Sequence, residues 1–298
     1  MQGPIGELHL RAHAKINLLL RIRGRRPDGY HDLETLFQSI SLHDELTLAK
    51  SDCFEFRCDD PAVPKDETNL VVRAARAMSS ALNLPPVRIH LRKHIPSGGG
   101  LGGGSADAAM TMIGLLRLFG KTPAADHLHQ IASSLGSDVP FFLVGGAAFA
   151  RGRGELLTPL PDVQAVPLLL LIPDVEVSTS AAFSSWSSLT DRNESRENLI
   201  DERRARAIVG GGYRGYGSLL VNDFESVVFP QLPQLERLKM LLCEAGAFWC
   251  GMTGSGSTIV GAFGDSASRD HAAAALAGEA RVEPAFTVSR ESALNLPE

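Results

Sequence analysis

Residues 95–110, IPSGGGLGGGSADAAM, hold six glycines within the seven positions 98–104, and helix-favouring residues follow at once. Each glycine in ordered structure costs about 0.5 to 1 kcal/mol relative to alanine. A strand, a glycine turn and a helix N-terminus together form an anion site, because free backbone N–H groups and the positive end of the helix dipole converge there. The stretch therefore predicts a loop that wraps phosphate groups.

Length and composition limit what this loop can belong to. With 298 residues and 44% hydrophobic content, the chain can bury one large core or two ordinary ones. A net charge of -5 argues against a nucleic-acid binder with a strongly basic surface. The apolar run at residues 166–172 is far shorter than the roughly 18 residues of a membrane span. The first residues lack the pattern of a signal or transit peptide. Together with the charge and the short apolar run, this leads us to expect a cytoplasmic protein without a membrane or nucleic-acid partner.

Hydrophobic periodicity outlines the secondary structure on both sides of the loop. Residues 8–18 alternate with a period of two, which places Lys15 and Asn17 on the same face of a strand. Turn residues at 27–29 predict a loop that carries Tyr30 and His31. Strands and helices are mixed without a regular βαβ period, so the pattern predicts an α+β fold with two lobes that divide near residues 155–165.

The C-terminal half has its own expected elements. We expect a polar segment over residues 184–198, helices near 198–209, 218–229 and 233–245, and a last strand at 285–290. Residues 248–263, FWCGMTGSGSTIVGAF, predict two strands joined by a tight glycine turn.

Two common phosphate motifs do not explain the glycine loop. A P-loop needs a lysine after its last glycine, and Ser105 follows Gly104 instead. A dinucleotide fingerprint can be threaded through almost any run of glycines. It also belongs to a parallel βαβ unit, whereas the strands upstream look antiparallel.

A third interpretation comes from a resemblance. PSGGGLGGGSADAA resembles the second motif of the GHMP kinase superfamily, AKINLLL its first motif, and MTGSGSTIVGAF its third. Together with the blocks DGYH, NLVVRAAR and LGSDVPFF, they follow the order of the branch that phosphorylates the 2-hydroxyl of cytidine diphosphate methylerythritol in the non-mevalonate isoprenoid route. The resemblance implies a two-lobed fold with mixed or antiparallel sheets and the active site in the cleft between the lobes. We expect a nucleotide-binding lobe over residues 1–158 and a substrate-binding lobe over 159–298.

The resemblance also implies where the nucleotide binds. The cofactors are expected to be ATP and Mg²⁺, with the Ser105 hydroxyl as a candidate metal or phosphate ligand. Asp107 would repel phosphate if it faced the site, so we expect it to face away. The nucleotide-binding residues implied are Asn69, Lys93, Pro96, Gly98, Gly99, Gly100, Gly102, Gly103, Gly104 and Ser105.

The chemistry of phosphoryl transfer assigns the remaining residues. Asp138 is expected to accept the proton of the acceptor hydroxyl, with Lys15 beside it to favour the ionised carboxylate and offset charge on the transferring group. Asn17, on the same strand face as Lys15, can orient the hydroxyl. For the acceptor base, the resemblance implies a stack of Tyr30 and Phe183, with His31 on the cytosine edge and Thr179 nearby.

Other functions stay open at the level of sequence. A different kinase of the same superfamily, acting on a sugar, homoserine or a mevalonate derivative, would have no base to stack on the aromatic residues. A ligand sensor with this fold could dispense with Lys15 and Asp138. A nucleotide-binding oxidoreductase would bind a nicotinamide cofactor. The sequence does not determine the oligomeric state.

Overall fold

The structure is a computed structural model that describes residues 6–189 and 200–295. No helix within these ranges is long and apolar enough to cross a membrane. The strands are β1 (Glu7–Arg25), β2 (His31–Lys50), β3 (Glu55–Cys58), β4 (Val87–Arg92), β5 (Ala147–Gly152), β6 (Leu156–Pro159), β7 (Pro167–Ile172), β8 (Trp249–Met252), β9 (Ile259–Ala262) and β10 (Arg281–Phe286). The helices are α1 (Leu70–Leu82), α2 (Gly103–Phe119), α3 (Ala125–Leu135), α4 (Val139–Val144), α5 (Thr179–Leu189), α6 (Glu202–Gly210), α7 (Glu225–Val228), α8 (Pro233–Glu244), α9 (Ser266–Leu276) and α10 (Arg290–Ala293).

The first sheet is organised by the long hairpin of β1 and β2. β1 pairs antiparallel with β2 along nearly its whole length, with an irregular register between His13 and Lys15. On its other edge, β2 pairs with β5 through residues 33–38 and with β4 through residues 45–50. β3 pairs with β4 in parallel, and β6 pairs antiparallel with β5. β2 is therefore the strand that joins the two halves of this sheet.

The second sheet has the strand order β10-β7-β9-β8, and its neighbouring strands are antiparallel. Its strand β7 carries four consecutive buried leucines, at 168–171. Successive side chains of a strand point to opposite faces, so a continuous apolar run indicates a strand that is covered on both sides. Leu168 and Leu170 pack in one core cluster, and Leu169 and Leu171 pack in another.

The expected fold class is confirmed as an α+β arrangement with two sheets and helices. The two sheets share a core, because Leu168 and Leu170 of β7 belong to the same buried cluster as Ala14 and Ile16 of β1. The proposed division between residues 158 and 159 falls inside β6, and its position stays a prediction.

Helix α2 lies close against the hairpin and positions the glycine loop that precedes it. A Cβ added at Gly114 would lie 2.8 Å from Leu10 of β1 and 2.9 Å from Leu48 of β2. The helix begins at Gly103 and ends before Gly120, which adopts the left-handed conformation that favours glycine.

The polar segment expected over residues 184–198 is helical where the structure describes it. Residues up to 189 belong to helix α5, and residues 190–199 lie outside the described ranges. Ala182 and Trp186, four positions apart on one helix face, are both buried in the cluster that contains Leu169 and Leu171 of β7. Because this packing stabilises the helix, it overrides the weak helix preference of the many serines.

Two other segments of the C-terminal half also differ from the sequence prediction. The helix expected near residues 218–229 is reduced to the single turn of α7. Residues 216–224, which precede it, form hydrogen-bonded turns. The last strand occupies Arg281–Phe286, earlier than expected, because its register is fixed by pairing with β7. After it, the Ser289 side chain caps the short helix α10.

His13 is a buried titratable group in the first sheet. It is 6% exposed, and its Nδ1 lies 2.9 Å from the Ile40 carbonyl oxygen, to which it donates. The His43 ring lies 5.1 Å away. Burial, the main cause, lowers the pKa of His13 from 6.5 to about 4, and the Ile40 hydrogen bond opposes this shift only in part. The ring is therefore neutral in the folded protein at neutral pH.

This shift predicts a pH dependence of stability. Between pH 6.5 and pH 4 the unfolded chain binds a proton at His13 that the folded chain does not, so stability falls as the pH falls. The contribution of His13 to the free energy of unfolding should decrease by up to about 3 kcal/mol over this window. Urea unfolding across this pH range should give a shallower decline for His13→Gln than for the parent protein. His9→Gln, at an exposed position of the same strand, serves as the control. An equal slope for the parent and His13→Gln would contradict the prediction.

Candidate active site

The glycine loop connects β4 to α2 in an unusual backbone conformation. Gly98, Gly100 and Gly102 have φ angles of 72°, 74° and 73°, a region that residues with a Cβ rarely adopt. Gly102 is the N-cap residue of α2 and has no side chain with which to satisfy the first N–H groups of that helix. These N–H groups are therefore available for an anion.

Backbone contacts hold the loop between the two sheets. The Lys15 N–H of β1 donates to the Leu101 carbonyl at 3.0 Å, and the Thr258 N–H donates to the Gly99 carbonyl at 3.3 Å. The Thr253 hydroxyl donates to the Gly100 carbonyl at 3.3 Å. Thr253 and Thr258 flank the glycine turn between β8 and β9, so the second and third glycine-rich stretches of the sequence meet.

Asn17 connects this turn to β1. Its Oδ1 accepts from Lys15 Nζ at 2.6 Å and from the Gly254 N–H at 3.0 Å. Its Nδ2 donates to the Thr35 hydroxyl at 2.7 Å, and its backbone N–H donates to the Thr253 hydroxyl at 3.0 Å. Asn17 is 3% exposed, so these bonds form away from bulk water and fix the side chain in one orientation.

Lys15 and Asp138 form the charged pair of the site. Lys15 Nζ lies 3.4 Å from Asp138 Oδ2. The lysine side chain is 4% exposed, whereas the aspartate side chain is 31% exposed and reaches the solvent. Asp138 directly precedes α4, but its side chain makes no capping hydrogen bond to that helix. The carboxylate is therefore free of the structural role that its position before a helix suggests.

Aromatic side chains occupy the other end of the site. The His31 ring stacks on Phe183, with centroids 4.8 Å apart and planes 14° apart, and meets the edge of Trp186. Burial, followed by the charge of Arg25, lowers the pKa of His31 below its ordinary value. Tyr30 is 56% exposed, and the Arg153 guanidinium lies 4.8 Å above its ring.

One cleft of about 1160 Å³ includes both ends of the site. Thr179, at the start of α5, bonds through its hydroxyl to the Ser255 hydroxyl at 2.8 Å and so joins the aromatic end to the glycine turn. The expected residues that line the cleft are Lys15, Asn17, Tyr30, His31, Gly100, Gly102, Ser105, Asp138, Thr179 and Phe183.

The other expected nucleotide-binding residues do not line this cleft. They are Asn69, Lys93, Pro96, Gly98, Gly99, Gly103 and Gly104. The side chain of Asn69 is used as a helix cap: its Oδ1 accepts from the Val71 N–H at 2.8 Å and its Nδ2 donates to the Pro64 carbonyl at 2.7 Å. The structure thus shows a capping contact for Asn69, and its contact with the nucleotide stays a prediction.

The ammonium group of Lys93 is also engaged elsewhere. It bonds to the carboxylate of Asp44 and, at 2.9 Å, to that of Asp107. Asp44 in turn accepts from the N–H groups of His94 and Ile95, at 2.5 and 2.8 Å. The cluster fixes the start of the glycine loop and the first turn of α2 on β2. Asp107 thereby points toward Lys93 and not into the cleft, as expected, and its burial raises the pKa of its carboxyl group.

Sequence reasoning missed several residues that build the site. Thr253 and Ser255 stand in the third glycine motif, so their position was available as a signal although their partners were not. Thr35 and Asp44 lie on β2, and their contacts with Asn17 and Lys93 depend on strand pairing that a single sequence does not display. Arg153 follows β5 and carried no motif.

The chain is similar in sequence to known kinases. The chain matches the family model "GHMP kinases N terminal domain" over residues 69–146 and "GHMP kinases C terminal" over residues 205–281. It is 41% identical over 260 residues to the 4-diphosphocytidyl-2-C-methyl-D-erythritol kinase of Moorella thermoacetica, covering 87% of this chain and 90% of that protein. The protein of the same name from Solibacter usitatus is 43% identical over 263 residues, covering 86% and 81%.

Solved structures show the same relationship. A crystal structure of 4-(cytidine 5'-diphospho)-2C-methyl-D-erythritol kinase superposes with a TM-score of 0.78 at 32% identity. The match covers 95% of this chain and 100% of that one. A homoserine kinase from Cytophaga hutchinsonii superposes with a TM-score of 0.75 at 19% identity, covering 97% and 96%. The second match establishes the shared fold alone.

The loop geometry predicts that an added methyl group destabilises the protein at Gly100 and is tolerated at Gly104. A Cβ at Gly100 would lie 2.2 Å from the Thr253 carbonyl oxygen, and the φ angle there is left-handed. Gly100→Ala should therefore push the loop away from the turn, lowering the melting temperature by several degrees, as for a loss of about 1 to 3 kcal/mol. Gly104→Ala is the matched control, because its Cβ would meet only Leu70, at 3.6 Å, inside a helix that favours alanine. Thermal unfolding measures both, and equal melting temperatures would contradict the prediction.

Proposed function

The chain belongs to the 4-diphosphocytidyl-2-C-methyl-D-erythritol kinase branch of the GHMP kinase family, and from this premise we propose how its residues act. The reaction transfers the γ-phosphoryl group of ATP to the 2-hydroxyl of 4-diphosphocytidyl-2-C-methyl-D-erythritol, a step of isoprenoid biosynthesis. The observation that carries the assignment of roles is the single cleft that contains the Lys15–Asp138 pair, the glycine loop and the aromatic group of Tyr30, His31 and Phe183.

The glycine loop would bind the phosphate groups of the nucleotide. Gly100 and Gly102 line the cleft, and the N–H groups at the start of α2 have no capping side chain. Backbone N–H groups and the helix dipole favour negative charge at this point. Gly98, Gly99, Gly103 and Gly104 would support this surface through the conformation of the loop, and contacts of Asn69, Lys93 and Pro96 with the nucleotide stay predictions.

The residues around the loop fit Mg²⁺, which would neutralise charge on the phosphates during transfer. The Ser105 hydroxyl lines the cleft and offers an oxygen atom of the kind that this ion prefers. Within residues 6–189 and 200–295 there is no cluster of three or more His, Cys, Asp or Glu side chains that could hold a metal ion. Phosphate oxygens of the nucleotide would therefore supply most of its ligands.

Asp138 would accept the proton of the attacking hydroxyl. Its carboxylate is partly exposed in the cleft, has no capping bond, and lies 3.4 Å from a buried ammonium group. Lys15 can offset the charge that develops on the transferring phosphoryl group, while its bond to Asn17 holds it in place. Asn17 would hold Lys15 through its Oδ1, and its Nδ2 donates one of its two protons to Thr35, so the same amide can also orient the hydroxyl.

The acceptor's cytosine would bind at the aromatic end. Tyr30 and Phe183 provide ring faces for stacking, worth about 1 to 3 kcal/mol per base. His31 lies between α5 and the cleft, where it can meet the edge of the base, and Thr179 lies next to Ser255 of the glycine turn. A cytoplasmic location and independence of nucleic acid stay predictions.

An acceptor panel tests the function directly. Purified protein with ATP and Mg²⁺ should release ADP with 4-diphosphocytidyl-2-C-methyl-D-erythritol and not with mevalonate, homoserine or galactose, because these lack a base for the aromatic end. Release with one of the other acceptors would reassign Tyr30, His31 and Phe183. ATP binding without any release would favour a ligand sensor, and a spectral change on adding a nicotinamide cofactor would favour an oxidoreductase.

Replacing the proposed base tests the mechanism. Asp138→Asn should lower kcat by about 10² to 10⁴ and leave nucleotide binding intact, since the amide keeps the shape of the carboxylate but cannot take the proton. Steady-state kinetics and calorimetric ATP titration measure the two quantities. Asp126→Asn, at an exposed acid of α3, is the control. Unchanged turnover of Asp138→Asn would remove this residue from the mechanism.

A further inference from the structure

Two of the four cysteines meet where helix α8 packs on strand β8. Cys243 lies in the last turn of α8 and Cys250 in β8, and residues 245–248 connect the two elements. The two Sγ atoms lie 2.7 Å apart. A disulfide requires side chains that converge on each other, with the sulfur atoms about 2.0 Å apart. The folded chain therefore already brings these two thiols close to bonding distance.

The two thiols differ in their access to solvent. Cys243 is exposed, whereas Cys250 is 7% exposed and belongs to the core cluster beneath α8. Burial, the main cause, raises the pKa of Cys250 and keeps its thiol protonated. The ammonium group of Lys239, one turn before Cys243 on α8, opposes this shift in part and bonds to Glu225 at 2.6 Å. A reagent from the solvent therefore reaches Cys243 first and finds Cys250 directly behind it.

The other two cysteines have different surroundings. Cys53 is exposed, and its thiol lies 3.7 Å from the carboxylate of Glu55. Cys58 is buried at the end of β3. All four cysteines lie within the described residues, and among these only Cys243 and Cys250 have their thiols hydrogen-bonded to each other. The chain thus contains one thiol pair and two separate thiols that serve as internal references.

We propose that Cys243 and Cys250 form a modification site, a dithiol that a hydroperoxide oxidises to a disulfide. The Cys243 sulfur attacks the O–O bond of the peroxide; this bond breaks, an S–O bond forms, and the Cys243 proton leaves with the other oxygen as water or an alcohol. The Cys250 sulfur then attacks the Cys243 sulfur. An S–S bond forms, the S–O bond breaks, and the oxygen leaves as water with the Cys250 proton. The two sulfur atoms together lose two electrons, and the peroxide gains them.

The disulfide would join two elements next to the glycine turn of the second sheet. β8 ends at Met252, and Thr253, which contacts the phosphate loop, follows directly. A covalent link over residues 243–250 restricts the unfolded chain, while the folded chain needs little movement because the sulfur atoms are already in contact. Oxidation should therefore raise the melting temperature and leave the proposed kinase reaction unchanged.

Thiol counting on the purified protein tests the site. The protein is treated with dilute hydrogen peroxide, the peroxide is removed with catalase, and the remaining thiols are blocked with N-ethylmaleimide in denaturant. The parent protein should carry two blocked cysteines where the reduced protein carries four, and a peptide map should recover Cys243 joined to Cys250. Dithiothreitol should restore all four thiols. Cys53→Ser is the matched control and should form the same disulfide, whereas Cys243→Ser should form none.

Thermal unfolding tests the consequence of the link. The oxidised parent protein should melt about 5 °C above the reduced protein, and the same treatment should leave the melting temperature of Cys243→Ser unchanged. Four free thiols after the treatment, or Cys243 oxidised to a sulfinic acid without a link to Cys250, would overturn the inference. An equal or lower melting temperature of the linked protein would refute the stabilising effect. These readouts need no substrate, so a failure of the proposed kinase reaction is seen separately from a failure of this inference.

Discussion

The site depends on a close approach of backbone to backbone between the phosphate loop and the glycine turn of the second sheet. Gly100 packs so tightly on Thr253 that a Cβ would overlap its carbonyl oxygen, and a Cβ at Gly254 would lie 3.1 Å from Gly100 in return. Because glycine has no Cβ, it permits the two backbones to approach this closely. The cost in chain entropy is offset by the hydrogen bonds at the contact, and the two sheets meet where the phosphates are expected.

Asn17 extends this contact toward the reacting groups. A single buried amide bonds to Lys15, to Thr35 and to the glycine turn, so the position of the ammonium group is tied to the position of the loop. A displacement of either sheet would change the Lys15–Asp138 distance and the phosphate site together. In the proposed mechanism such coupling matters, because phosphoryl transfer leaves little covalent work to the protein beyond positioning and charge neutralisation.

Charge is arranged differently on the two sides of the loop. Behind it, Asp44 and Asp107 surround Lys93, and both carboxylates are buried. In front of it, Lys15 faces the cleft beside a partly exposed Asp138. The sequence motif places Lys93 and Asp107 near the loop but carries no information on which side they lie, since strand pairing with β2 decides it.

Local periodicity and motif order are written along the chain, and they are enough to predict the glycine loop, the shared face of Lys15 and Asn17, the α+β class and the family. The folded chain alone shows that Asn69 caps a helix, that Lys93 pairs with Asp44, that residues 179–189 form a helix and that Ser187 reaches His31. Each of these depends on residues that are distant in sequence or on burial of one helix face. Such contacts arise when the chain packs, and a local pattern does not encode them.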